Sequence, residues 1–112
     1  MTSISPNEMK LAILQIQPSQ LYLSASKIEQ VKAWFHPEQP ELFQPLPIKR
    51  VGKRLFFTDG HTRAFLAYQA GWREIPVVWD EDDLNWSAYE YCVKTAEEQD
   101  IWSIADLENR VL

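Results

Sequence analysis

A chain of 112 residues with five tryptophans and 46% hydrophobic residues is long enough for one packed domain and too apolar for a disordered tail. Its formal charge of −5 opposes a broad basic surface for bare nucleic acid, and its basic residues gather only locally, at Lys49, Arg50, Lys53 and Arg54. The single cysteine, Cys92, excludes an intrachain disulfide and a cysteine-based zinc site, no apolar run is long enough to span a bilayer, and the start lacks a secretory pattern; the expected setting is cytoplasmic.

In chain order, residues 1–10 are polar and predict a loose start, and Leu11, Ile13 and Ile16 set the rhythm of a short strand over 11–16, stopped by Pro18. Ser26 and Glu29 have the spacing of a capping box. Ile28, Val31 and Phe35 follow at helical spacing, which predicts a helix over 26–35. The stretch "HPEQPELFQPLP" holds four prolines and predicts a loop over 36–47.

Ile48–Val51 and Leu55–Thr58 flank Gly52-Lys53 and predict a hairpin. A helix then opens near Gly60 or His61 and ends at Gly71, and Ile75–Trp79 reads as a buried strand. Asp80, Glu81, Asp82 and Asp83 precede a helix over 84–98 with Leu84, Ala88, Tyr91 and Cys92 on one face, and their charges would oppose the positive end of its dipole. Ser103 to Asp106 repeats the cap pattern and starts a final short helix.

The chemistry concentrates at "TDGHTR". A helix opening at Gly60 would present N–H groups without intrahelical partners, an anion site that a residue without Cβ lets a phosphate approach closely. Arg63 could fork onto phosphate oxygens, and Thr62 could donate to one. Asp59 could hold a magnesium ion or act as an acid–base group, and His61 could donate to phosphate or transfer a proton. Each residue also has a structural reading: Asp59 as a cap, Gly60 as a turn former, His61 as a satisfied polar group, Arg63 as an ion-pair partner.

The stretch "PIKRVGKRLFFTDGHTRAFLAYQAGWREIPVVW", with "PSQLYLSASKIEQV" upstream, resembles the core of the ParB/sulfiredoxin-like superfamily, in which a Gly-x-x-Arg motif opens a helix after a hairpin. The resemblance covers about residues 11–80, and the helical part over 84–112 resembles small bacterial ParB-like nuclease domain proteins. It implies an α+β fold with a small mixed sheet and packed helices, and nucleotide phosphates beside Gly60, His61, Thr62 and Arg63, with Lys27 also facing phosphate.

Sulfiredoxins carry a cysteine at the position of His61, which excludes their sulfinic acid chemistry here. ParB proteins read Gly-Glu-Arg-Arg and add DNA-binding and dimerisation domains after this one. The motif agrees best with the kinase form Asp-Gly-His-His-Arg, at Asp59, Gly60, His61 and Arg63, with Thr62 as the departure. That form implies an upstream glutamate base, for which Glu29, Glu38 and Glu41 are candidates.

The expected function is therefore nucleotide binding with ATP or another NTP and Mg²⁺, extended to phosphoryl transfer or hydrolysis through Asp59, His61 and Glu29. The expected partners are the nucleotide and a small-molecule acceptor. The alternative is a non-catalytic interaction module of a larger bacterial system, which meets a protein partner through Trp34, Phe35, Trp72 and Trp86, or a DNA-associated ParB-like protein. DNA binding by this chain alone, DNA cleavage and membrane association are not expected.

Overall fold

The computed structural model describes residues 8–112. Five strands, β1 (Glu8–Ala12), β2 (Ile16–Gln17), β3 (Leu46–Val51), β4 (Arg54–Phe57) and β5 (Glu74–Trp79), form one sheet in the order β1-β5-β3-β4-β2. β1 runs antiparallel to β5 and β3 antiparallel to β4, whereas β3–β5 and β2–β4 are parallel. Three helices, α1 (Ala25–Lys32), α2 (His61–Gln69) and α3 (Trp86–Glu98), complete a mixed α and β fold.

The hairpin forms as its sequence predicts, with Gly52 at φ +59° in the turn between β3 and β4. Alternation along β3 then sorts side chains between the two faces of the sheet. Leu46 and Ile48 join Ile16, Phe57, Ile75 and Val77 on the face that meets Ile28 and Val31 of α1 and Phe65 of α2. On the opposite face, Phe56 stacks on Tyr89 of α3 with ring centroids 5.8 Å apart. Phe56 and Phe57 are neighbours in sequence, both wholly buried, and serve opposite layers. Burial of each contributes roughly 2 kcal/mol.

Several boundaries differ from expectation. The single strand expected over 11–16 is two strands at opposite edges of the sheet, joined by a 3-10 turn over Ile13–Gln15, and β1 already begins at Glu8. The loose start expected for 1–10 otherwise falls on residues 1–7, outside the described residues. The helix expected over 26–35 is capped instead by Ser24, whose Oγ accepts from the Lys27 N–H at 3.3 Å, and it ends at Lys32. The Ser26 capping box does not form, because the N-cap lies two residues earlier and Glu29 pairs with Lys32 at 3.7 Å.

Within the proline-rich loop, Pro40–Leu42 make a 3-10 turn and β3 starts at Leu46. Pro47 precedes the pairing of β3 with β4, so its missing N–H costs no bond on that side. The acidic run does not cap α3. Asn85 is the N-cap, with its side chain accepting from the Ala88 N–H at 3.1 Å, and the first turn of α3 holds no acid. Val93 and Ala96 are the buried positions of α3, whereas Tyr91, grouped by spacing with Leu84, Ala88 and Cys92 on one face, is 71% exposed. The final helix is a 3-10 turn over Ile104–Leu107 that carries the Ser103–Asp106 capping box. The chain then returns beside Leu23, which donates to the Arg110 carbonyl and accepts from the Leu112 N–H.

Candidate functional site

The candidate site lies where β4 turns into α2, and Thr58 anchors it. Its N–H donates to the Pro47 carbonyl at 3.0 Å and its hydroxyl to Asp80 Oδ2 at 2.6 Å. Its carbonyl accepts from the Tyr89 hydroxyl at 3.0 Å. Asp80, buried at the end of β5, also accepts from the Asp82 N–H at 2.9 Å. The segment before Asp59 is thus held from β3, from the end of β5 and from α3. Burial, with Asp80, Asp59 and Cys92 adding to it, pushes the Tyr89 phenol above its usual pKa and keeps it a donor.

Gly60 makes the next step. It is the N-cap of α2 at φ +77°, and a Cβ there would stand 2.5 Å from Leu46 Cδ2 and 3.0 Å from Arg63 Nη2. Both the backbone and the space require glycine. No side chain caps the helix, and its first backbone bond runs from the Ala64 N–H to the Gly60 carbonyl at 3.0 Å. The N–H groups of His61, Thr62 and Arg63 precede that bond, at the positive end of the dipole.

The side chains divide between the two sides of this turn. Arg63 folds back over Gly60, donates weakly to the Gln44 carbonyl at 3.4 Å and lies 5.9 Å over the Phe43 ring. Burial lowers its pKa, and Asp59 opposes that effect. Thr62 is only 4% exposed, and its hydroxyl makes no hydrogen bond. Among the described residues no fully buried side-chain oxygen or nitrogen lacks a partner, so this hydroxyl reaches solvent. Asp59 is exposed, with Oδ1 accepting from the Gly60 N–H at 2.8 Å.

His61 is 4% exposed, and its Nε2 accepts from the Ser19 backbone N–H at 2.9 Å. That bond fixes the neutral tautomer with the proton on Nδ1. Burial lowers the imidazole pKa to about 4, with Lys27 adding to the fall and Asp59 opposing it. The ring is therefore a neutral donor through Nδ1, and Nε2 is already engaged. The proton transfer expected of His61 would have to run through Nδ1.

The remaining expected residues fall as follows. Lys27, at the start of α1, is near enough to act on His61 electrostatically. Glu29 is exposed and paired with Lys32, Glu38 pairs with His36 at 3.6 Å, and Glu41 is exposed in the 3-10 turn. No hydrogen bond or ion pair joins these three glutamates to residues 59–63. Of the basic cluster, Lys49 sits 4.6 Å over the Trp86 ring, Arg50 lies 5.7 Å over Trp79 and Arg54 pairs with Glu97 at 2.8 Å, which spends most of its charge locally.

A half-open cleft of about 310 Å³ runs from this turn to α3, lined by Ser19, Gln20, Asp59, His61, Tyr89 and Cys92 among others. A second hollow of about 290 Å³ lies at the far end of α2, between Leu14, Tyr68 and Trp72, and its walls are almost wholly apolar. The polar chemistry belongs to the first. Ser19, Asp80 and Tyr89 were not legible as site residues, since each reaches the turn only through the tertiary fold.

No protein-family model matches the chain, and no curated protein matches it. Among solved structures it is similar to the crystal structure of protein Atu1540 from Agrobacterium tumefaciens, with a TM-score of 0.58 and 17% identity over 93% of this chain. The chain spans 63% of that chain's length, and at this identity the likeness shows the fold alone. Among the described residues no helix is long and apolar enough to cross a membrane, and no three His, Cys, Asp or Glu side chains gather where they could hold a metal ion.

Proposed function

We propose that the chain binds a nucleotide, with its phosphates at the N-terminus of α2. The observation that carries this reading is the uncapped helix start opened by Gly60, with the Arg63 guanidinium folded across it. The Thr62 hydroxyl stands on the same turn, the Lys27 charge acts on His61 from the start of α1, and both suit phosphate oxygens. The ParB/sulfiredoxin-like motif supports the same ligand, and a nucleotide ligand and a reduced Cys92 fit a cytoplasmic protein.

Since the described residues hold no three-residue metal cluster, a magnesium ion would arrive on the nucleotide's own phosphates, completed by water. Transfer or hydrolysis of the terminal phosphate would need an acid–base group at the turn, and Asp59 is the carboxylate that stands there. Glu29 would first have to leave Lys32. Calorimetric titration of the chain with ATP, ADP and CTP in magnesium tests the reading: binding that Arg63→Ala weakens supports it, and heat-silent titrations with all three reject it.

A second reading, an interaction module, rests on Trp34 and Leu42, which are 55% and 63% exposed beside one shallow hollow. Of the other aromatics expected there, Phe35 and Trp72 pack edge to face with Phe43, and Trp86 lies under Lys49. Light scattering on the isolated chain and on Trp34→Ala separates the two readings, because only a contact surface makes self-association depend on Trp34.

A further inference from the structure

The cleft beside Asp59 differs in polarity from the helix terminus it adjoins. Asp59 gives one oxygen to the Gly60 N–H, and its second accepts nothing among the described residues. Gln20 donates through Nε2 to the Tyr22 carbonyl, which leaves its own carbonyl oxygen as an acceptor. The hydroxyls of Ser19 and Tyr89 are spent as donors on the Phe57 and Thr58 carbonyls, and each keeps a lone pair.

His61 supplies the contrasting group. Its Nδ1–H makes no hydrogen bond, and since no fully buried side-chain oxygen or nitrogen among the described residues lacks a partner, that N–H reaches solvent from a ring that lines the cleft. The cleft therefore offers several acceptors, one of them a carboxylate, against few donors: the His61 ring N–H, the second amide N–H of Gln20 and the weak thiol donor of Cys92. A phosphate placed there would meet like charge, whereas a group rich in O–H donors would be matched. Phosphate and donor-rich group would then lie on either side of Asp59 and His61, within one ligand.

We infer that this cleft takes the ribose of the bound nucleotide, with the 2′- and 3′-hydroxyls donating to the Asp59 carboxylate. A carboxylate holding ribose hydroxyls beside a helix-terminal phosphate site is an arrangement that dinucleotide-binding Rossmann folds use, there with the acid farther along the chain. A half-open volume of about 310 Å³ suits a sugar. The inference rests on the nucleotide reading above and assigns Asp59 to the sugar rather than to a metal ion or to acid–base work on the terminal phosphate.

Titration with ATP and CTP and with their 2′,3′-dideoxy counterparts tests it, in magnesium and in EDTA. The wild type should bind each ribonucleotide about tenfold more tightly than its dideoxy form, in both buffers, as charged hydrogen bonds of this kind predict. Asp59→Asn keeps the acceptor for the Gly60 N–H but places an amide donor toward the cleft, and should bring the ratio close to one. Equal binding of both forms by the wild type, a ratio that survives in Asp59→Asn, or a ratio that vanishes in EDTA would each overturn the ribose assignment while leaving the phosphate site standing. Failure to bind any nucleotide would overturn both.

Discussion

The backbone N–H of Ser19 donates to Nε2 of His61 at 2.9 Å, joining the end of β2 to the start of α2 across 42 residues of sequence. The bond requires an unprotonated Nε2, and burial lowers the imidazole pKa from 6.5 to about 4. The unfolded chain therefore takes up this proton before the folded one does. The contribution of neutral His61 to stability is complete above pH 6.5 and is lost as pH falls from 6.5 toward 4, by about 3 kcal/mol in total.

Urea denaturation of wild type and His61→Gln at pH 7 and pH 4.5 checks this. Carboxylates titrate in both proteins, so the difference between them isolates the histidine. The wild type should lose more stability than the variant by roughly 2 kcal/mol on acidification. Parallel losses would show that the ring is not held neutral.

Gly60→Ala places a methyl group against Leu46 in a left-handed backbone. It should cost about 2 kcal/mol of stability and abolish nucleotide binding, because the turn that exposes the α2 N–H groups can no longer form unstrained. Ala at Gly52, where an added Cβ meets nothing, should bear the backbone strain alone and leave binding intact.

The strand, turn, strand, helix, strand order was legible because each step is written locally. Gly52 marks one turn, Gly60 another, and the apolar runs of β3 to β5 carry their own periods. The Asp59–Arg63 turn was legible for the same reason. The division of residues 8–17 was not, since the Ile13–Gln15 turn contains neither glycine nor proline and its apolar residues continue the strand rhythm. The buried face of α3 was not legible either: the spacing groups Tyr91 with Leu84, Ala88 and Cys92, and only packing shows that Val93 and Ala96 are the buried positions. The engagement of His61 Nε2 by the Ser19 N–H was equally hidden, because that bond exists only in the fold.

Thr62→Val removes a hydroxyl that has no protein partner while keeping its volume. Stability should stay within about 0.5 kcal/mol of wild type, and nucleotide affinity should fall about tenfold if the hydroxyl donates to phosphate. Thermal melts and titration on the same preparation check both halves. An unchanged affinity would remove Thr62 from the phosphate site.

Tyr89→Phe deletes the donor to the Thr58 carbonyl and should cost about 1 kcal/mol, with a severalfold weaker nucleotide affinity as the turn loosens. Tyr91→Phe, on the exposed side of the same helix, is the control and should change neither. Equal effects of the two would mean that α3 does not support the turn.

The central claim, a phosphate site at the N-terminus of α2, meets its most direct test in calorimetric titration of wild type and Arg63→Ala with ATP and CTP in magnesium. We expect saturable binding by the wild type and about tenfold or greater weakening in the variant, with both proteins equally folded. Saturable binding that Arg63→Ala leaves unchanged, or no binding by the wild type, would contradict it.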